Sequence, residues 1–131
     1  MSRTGDCQIV HGVLIVDDHE PLRRRIRYAL EGGGLDVCGE ATDGLEAIQK
    51  AKERSPGVVI LNISMPIMSG FEALPEIIRC SPNTRVVMFT LDDAQELRQK
   101  AFHLGASGYV TKSAPIEELL AEVRKLLVET L

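Results

Sequence analysis

The sequence has no tryptophan, and it has only two tyrosines and three phenylalanines among its 131 residues. It therefore offers few aromatic rings on which nucleic-acid bases could stack. Lysine and arginine together number 15 against 19 aspartate and glutamate residues, which gives a net charge of −4. That balance lacks the basic face that phosphate neutralisation needs, so we do not expect this chain to bind nucleic acid directly.

Cysteines and long apolar runs are also scarce. Cys7, Cys38 and Cys80 match no zinc-binding spacing, and we expect three reduced thiols in a cytoplasmic protein. The residues before Asp17 and Asp18 contain no continuous apolar segment of the length that a secretory signal needs, and no run approaches membrane-spanning length. We therefore expect neither a secretory signal nor a membrane partner. The composition, 44% hydrophobic and 26% charged, is typical of a folded globular protein.

Short apolar runs alternate with stretches of helical periodicity. The runs Val13–Val16, Val58–Leu61 and 86–89 are continuous, as in strands that are buried on both faces. Weaker strand candidates span 35–40 and 109–111. The intervening apolar positions at helical spacing are Leu22, Ile26, Ala29 and Leu30; Ala47, Ile48 and Ala51; Phe71, Leu74, Ile77 and Ile78; Leu97, Ala101 and Leu104; and Ile116, Leu119, Leu120, Val123, Leu126 and Leu127.

Five strand-helix units in this order predict an α/β fold with a parallel sheet covered by helices on both faces. Ligands of such sheets bind beyond the carboxyl ends of the strands. Polar residues follow four of the five predicted strands there: Asp17 and Asp18, Asn62, Thr90 and Lys112. We expect these side chains to converge on one edge of the sheet.

Those residue types suit a phosphoryl group held by a cation. Adjacent carboxylates repel each other, so Asp17 and Asp18 are expected to hold a cation or a lysine. Hard oxygen ligands, few of them from protein, favour Mg²⁺. Taken singly, the acidic pair could be a solvated helix cap, Thr90 a plain strand residue and Lys112 a surface lysine. A cation, a hydroxyl and a lysine together are what phosphoryl binding requires.

From about residue 12 to residue 127 the chain resembles a response-regulator receiver domain. The matching motifs are Val16-Asp17-Asp18, Asn62-Ile63-Ser64-Met65-Pro66 with Gly70, Phe89-Thr90, and Gly105-Ala106-Ser107-Gly108-Tyr109-Val110-Thr111-Lys112. Segments 65–70 and 108–115 most resemble receivers of the NarL/FixJ type, which usually precede a helix-turn-helix DNA-binding domain. The resemblance implies a flavodoxin-like (βα)5 fold with sheet order 2-1-3-4-5 and a role in two-component phosphorelay signalling.

The resemblance also implies a magnesium site. Asp17 and Asp18 would be the acidic pair, with Asp18 the direct ligand, and Ser64 would offer its backbone carbonyl. Asn62 stands at the position of the third carboxylate ligand, so its amide oxygen would ligate weakly. We therefore expect Mg²⁺ as a cofactor, bound weakly.

Further roles follow from the same resemblance. Thr90 would bond a phosphoryl oxygen and move on activation, and Tyr109 would be the aromatic switch whose rotamer follows Thr90. Lys112 would form the ion pair at the site. Leu91 occupies a position where the family usually keeps a small residue, so it is expected to narrow access to the pocket.

Asn62 is the most consequential departure, because the family's phosphoacceptor is an aspartate at that position. An amide is neither anionic nor comparably nucleophilic, so acyl phosphate formation is not expected. The amide nitrogen can donate to Asp17 or Asp18, and Lys112, without its usual partner, should turn to that acidic pair.

Three accounts of Asn62 remain open. The chain is a naturally degenerate receiver, or a variant whose acceptor was replaced, or a protein in which deamidation restores the aspartate. We favour the first. The third is disfavoured because the branched side chain of Ile63 hinders attack by its nitrogen on the amide.

The sequence thus predicts a single receiver domain over 1–131, with its core at about 12–127 and no output domain, acting by contacts with a histidine kinase or another signalling protein. A homodimer is an option, and DNA would be bound only through an output domain.

One alternative is the excised receiver of a conventional phosphorylation-controlled transcription regulator. Phosphorylation at Ser64 is chemically less suited. Rivals of other classes are a small Mg²⁺-dependent phosphotransfer enzyme and a nucleotide- or flavin-binding protein.

The sequence also carries a cluster of arginines just after the acidic pair. Arg23, Arg24, Arg25 and Arg27 are interpreted as a solvated face, with docking of an acidic partner as the functional alternative.

Overall fold

The computed structural model describes residues 12–129, so Cys7 lies outside the described residues. Five strands alternate with five helices. In chain order they are β1 (Val13–Val16), α1 (Glu20–Gly32), β2 (Val37–Ala41), α2 (Gly44–Arg54), β3 (Val58–Leu61), α3 (Gly70–Cys80), β4 (Arg85–Thr90), α4 (Gln95–His103), β5 (Gly108–Thr111) and α5 (Ile116–Glu129).

All five strands form one parallel sheet in the order β2-β1-β3-β4-β5, which confirms the predicted fold class and strand order. The bounds of β2 differ from the predicted 35–40. The main-chain nitrogen of Leu35 donates to the carbonyl of Leu30 at 2.9 Å, so Leu35 still belongs to the turn that ends α1. The strand therefore begins later, at Val37, and continues to Ala41.

Alternate strand residues point to opposite faces of the sheet and build two separate cores. Leu14 and Val16 lie in a core shared with α2, α3 and α4. Val13 and Ile15 lie in the other core, which α1 and α5 cover through residues such as Ile26. Both faces are thus buried, which is the reason for the continuous apolar runs in β1, β3 and β4.

Two residues of α2 cover the exposed edge of the sheet at β2. The Arg54 guanidinium donates to the carbonyl of Cys38, and Lys50 Nζ donates to the carbonyl of Glu40. An edge strand otherwise presents unpaired carbonyls to other chains. Here two of those carbonyls are occupied by side chains of the same molecule.

The carboxylate of Glu40 joins β2 to α1. It accepts from Arg23 Nε at 2.8 Å and from Arg27 Nε at 2.7 Å. The Arg23 side chain is largely buried by these contacts. The interpretation of this arginine cluster as a solvated face is therefore wrong for Arg23, although Arg24 and Arg25 are exposed.

Within residues 12–129 no helix combines the length and the apolar character that crossing a membrane requires.

Candidate phosphoryl-binding site

The backbone ladder extends one residue beyond the strands and carries the site residues with it. The main-chain nitrogen of Asn62 donates to the carbonyl of Val16 at 3.0 Å, and that of Lys112 donates to the carbonyl of Thr90 at 2.7 Å. The nitrogen of Asp17 donates to the last residue of β2 at 3.0 Å. The polar residues at the carboxyl ends of β1, β3, β4 and β5 thus meet at one edge of the sheet, as the sequence predicts.

Lys112 and Asp17 form a buried ion pair at this edge. Lys112 Nζ lies 2.7 Å from Asp17 Oδ2, and their side chains are 13% and 3% exposed. The other carboxylate oxygen accepts from the main-chain nitrogen of His19 at 3.0 Å. The expectation that Lys112 turns to the acidic pair is confirmed for Asp17. Asp18, in contrast, is exposed and has no ion pair in the described part of the chain.

The amide of Asn62 lies among oxygen atoms that were expected to bind metal. Its Nδ2 donates to the carbonyl of Ser64 at 2.8 Å and lies 3.5 Å from Asp18 Oδ1. Both neighbours only accept hydrogen bonds, so the amide nitrogen rather than the oxygen faces them. The sequence predicted donation to Asp17 or Asp18. The shorter bond to Ser64 was missed because it depends on the path of the loop after β3.

The donor set fits Mg²⁺ poorly. Asp17 already neutralises Lys112, and the carbonyl of Ser64 already accepts from Asn62. Of the predicted ligands, only Asp18 remains as a carboxylate that no cation of the described residues pairs with, and one carboxylate is the fewest that protein Mg²⁺ sites commonly use. Among residues 12–129 no three His, Cys, Asp or Glu side chains are grouped so as to hold a metal ion.

Asp92 connects Thr90 with Tyr109. The main-chain nitrogen of Asp92 donates to Thr90 Oγ1 at 3.3 Å, and its carbonyl accepts from the Tyr109 hydroxyl at 2.6 Å. The Arg98 guanidinium lies 4.7 Å from the centroid of the Tyr109 ring. Burial and the nearby charge of Asp92 raise the pKa of this phenol. The part of Asp92 in this arrangement was not predicted, because a loop residue between strand and helix carries no periodic signal.

The loop from Asn62 to Gly70 is held by close backbone contacts. The main-chain nitrogen of Gly70 donates to the carbonyl of Ile63 at 2.7 Å, and a Cβ at Gly70 would collide with the carbonyl of Asn62. Only glycine permits this approach. Ile67 in the same loop has a φ of 68°, which is the left-handed region that a β-branched residue rarely adopts.

A cavity of about 690 Å³ opens over the site residues. The sequence assigned no part in this site to five residues of the lining, which are His19, Pro21, Leu22, Arg25 and Asp92. Leu91 lies at the cavity, as expected, but its side chain is 79% exposed. It therefore borders the cavity without closing it.

The sequence profile of the response regulator receiver domain matches residues 13–124. The chain belongs to that family, and the predicted resemblance is confirmed. It is 36% identical over 113 residues to the response regulator GacA of Pseudomonas viridiflava, a match that covers 86% of this chain and 53% of GacA. The chain thus spans about half the length of that relative.

Solved structures give the same result. The chain superimposes on a two-component response regulator of the LuxR family from Aurantimonas sp. SI85-9A1 with a TM-score of 0.85 at 34% identity, covering 89% of this chain and 84% of that one. It matches a chain of the CheX-CheY-BeF3-Mg+2 complex from Borrelia burgdorferi with a TM-score of 0.84 at 28% identity, covering 88% of each chain.

This protein is therefore a receiver domain of two-component signalling. Receiver domains of response regulators interact with histidine kinases and phosphotransfer partners, and they generally bind Mg²⁺. The relatives are response regulators, which are signalling and regulatory proteins.

Proposed function

We propose that this receiver is degenerate and signals without accepting a phosphoryl group, through contacts with partner proteins. The observation that carries the proposal is the amide of Asn62 at the end of β3, with its nitrogen on the carbonyl of Ser64. A carboxylate at that position would be the nucleophile. The amide provides no anionic oxygen, so the step that forms an acyl phosphate lacks its attacking group.

The surrounding charges support this proposal. Lys112 forms its ion pair with Asp17, so the carboxylate of Asp17 is neutralised by the protein itself. The amide nitrogen meanwhile occupies two oxygens that a cation would need, those of Ser64 and Asp18. The charge of Asp17 and the amide nitrogen of Asn62 are thus satisfied without an added ion. Signalling would then depend on a partner that binds one conformation better than another.

The experiment is intact-mass measurement after incubation with Mg²⁺ and acetyl phosphate. We expect the native chain to stay unmodified and Asn62→Asp to gain one phosphoryl group. Asn83→Asp makes the same change at an exposed turn before β4. This turn lies at the amino ends of the strands, away from the site, so the variant should stay unmodified. Phosphorylation of the native chain would contradict the proposal. Ser64→Ala then shows whether Ser64 is the acceptor.

The alternative role is that of the receiver part of a phosphorylation-controlled, DNA-binding transcription regulator. The observation in its favour is that the chain spans only 53% of GacA and is similar to a regulator of the LuxR family. In that case DNA contacts would belong to another part of a longer protein. Phosphorylation of the native chain would favour this role over the first.

A further inference from the structure

The cavity over the site contains two buried polar groups with unused hydrogen-bonding capacity. Asn62 is 7% exposed, and its Oδ1 has no hydrogen-bond partner in the described part of the chain. Thr90 is 5% exposed, and its oxygen accepts from Asp92, but its hydroxyl proton has no acceptor among residues 12–129. Both residues line the cavity. Buried polar groups are normally paired, so each calls for a partner.

The two unused groups have opposite character. Asn62 Oδ1 needs a donor, whereas the hydroxyl of Thr90 needs an acceptor. Lys112 adds further donors. Its ammonium has three N–H groups, and Asp17 is the one acidic residue that pairs with it among the described residues. A carboxylate presents acceptors alone and would face the oxygen of Asn62 without a hydrogen bond. A primary carboxamide presents an NH2 donor and a carbonyl acceptor together.

The rest of the cavity supplies an apolar wall. Pro21, Leu22 and Leu91 line it, and the side chain of Leu91 is largely exposed. An exposed leucine bordering a cavity gains most if an apolar group covers it. The volume of about 690 Å³ lies within the range of small-molecule sites.

We propose that this cavity binds a small uncharged organic molecule that has a carboxamide-like head and an apolar body. The head lies between Asn62 Oδ1 and the hydroxyl of Thr90, and the body lies against Leu22 and Leu91. Asn62 thereby has a positive role, since it provides the acceptor that recognises the donor of the ligand. The inference rests on the proposed function, because a chain phosphorylated at this site would place a phosphoryl group in the same space.

Three probes test the chemistry directly, namely benzamide, benzoate and inorganic phosphate. Each is titrated into the native chain without metal or phosphodonor, and binding is followed by the 15N NMR signals. The Asn62 side-chain amide is assigned by its loss in Asn62→Asp. We expect benzamide to shift that amide and the signals of Leu91 and Asp92, with saturation in the millimolar range that suits so small a ligand. Benzoate should bind at least about tenfold more weakly because it offers no donor. Inorganic phosphate should bind at least about tenfold more weakly because it has no apolar body to lie against Leu22 and Leu91.

Two variants test the wall and the hydroxyl. Leu91→Ser should weaken benzamide binding by about threefold or more, because it removes apolar contact. Val128→Ser removes an exposed aliphatic side chain on α5 outside the cavity and should leave binding unchanged. Thr90→Val keeps the shape, removes the hydroxyl and should also weaken binding.

The inference is overturned if benzamide causes no saturable shift at Asn62, if benzoate or phosphate binds as well as benzamide, or if Leu91→Ser has no effect. These failures differ from failure of the proposed function, which is a gain of phosphoryl mass by the native chain. A native chain that stays unmodified and ignores benzamide overturns only the ligand inference.

Discussion

Lys112 Nζ lies 2.7 Å from Asp17 Oδ2, in a pair that joins the residue after β5 to the residue after β1 across the sheet edge. Both side chains are largely buried, so water solvates neither charge well, and each charge is compensated by the other. The pair therefore holds the two sides of the carboxyl edge together. It also explains why an acidic residue can remain buried in a receiver site whose third carboxylate is absent.

Removal of the lysine should be costly. We expect Lys112→Met to lower the free energy of unfolding by about 3 kcal/mol, because it leaves the charge of Asp17 buried without a partner. Urea unfolding measures the change. Lys125→Met is the matched control, since Lys125 is exposed and its Nζ lies 3.8 Å from Glu122 Oε2, at the limit of an ion pair. The double variant Lys112→Met with Asp17→Asn should recover much of the loss, and an additive result would contradict this account.

The magnesium affinity of the native chain should be low. We expect Asn62→Asp to bind Mg²⁺ more than about tenfold more tightly, because it restores a negative charge near the cation and removes the amide donor from Ser64. Isothermal titration calorimetry measures both affinities. Asn83→Asp adds the same charge at the turn before β4, away from the site, and should match the native chain. Equal affinities of native chain and Asn62→Asp would show that the amide does not limit binding.

Ile67 should be a source of strain in the loop after β3. Its side chain is exposed, and its φ of 68° disfavours a β-branched residue. We expect Ile67→Gly to raise the free energy of unfolding by about 0.5 kcal/mol, since relief of left-handed strain exceeds the added entropy of the unfolded chain. Ile67→Val keeps the branched Cβ and should bring no gain. A lower free energy of unfolding for Ile67→Gly than for the native chain, measured by urea unfolding, would contradict the presence of strain at Ile67.

Glu40 should make stability depend on pH. Burial raises the pKa of Glu40, but the hydrogen bonds and charges of Arg27 and Arg23 lower it by a larger amount. The pKa of Glu40 therefore lies below its ordinary value. A depressed folded-state pKa means that this stabilisation is fully present above the unfolded pKa of about 4.3 and is lost as the pH falls through the folded-state value.

We therefore expect Glu40→Gln to be less stable than the native chain by about 1–2 kcal/mol at neutral pH. The difference should shrink as the pH falls below about 4, where Glu40 is protonated. Urea unfolding at several pH values measures it. Glu53→Gln, at an exposed position on α2, serves as the control and should show little difference at any pH. A constant difference for Glu40→Gln across pH would exclude the charged pair as its cause.

Burial on both faces of the sheet made most of the fold predictable. The continuous runs of β1, β3 and β4 follow from that burial, whereas β2 at the sheet edge contains Gly39 and Glu40 and has no such run. The positions of Asp17, Asn62, Thr90 and Lys112 were predictable because parallel strands end at one edge. The partners of the Asn62 amide were only partly predictable, because they depend on how the loop to Gly70 folds back.

The cavity wall could not be predicted at all. Leu22 belongs to α1 and Leu91 to the segment after β4, and no sequence pattern states that α1 and this segment border the same space. A helix-period analysis assigns Leu22 to the core, and it is indeed half-buried there. Its second role, in lining the cavity, follows only from the tertiary arrangement.

The capped edge at β2 has a consequence for the behaviour of the chain in concentrated solution. Lys50 and Arg54 occupy carbonyls that an incoming strand from another molecule would use. Growth of the sheet into fibrils or strand-swapped aggregates is thereby opposed at this end. A peptide fused beside β2 should therefore leave α2 in place, because loss of α2 would expose the carbonyls of β2 to strands of other molecules.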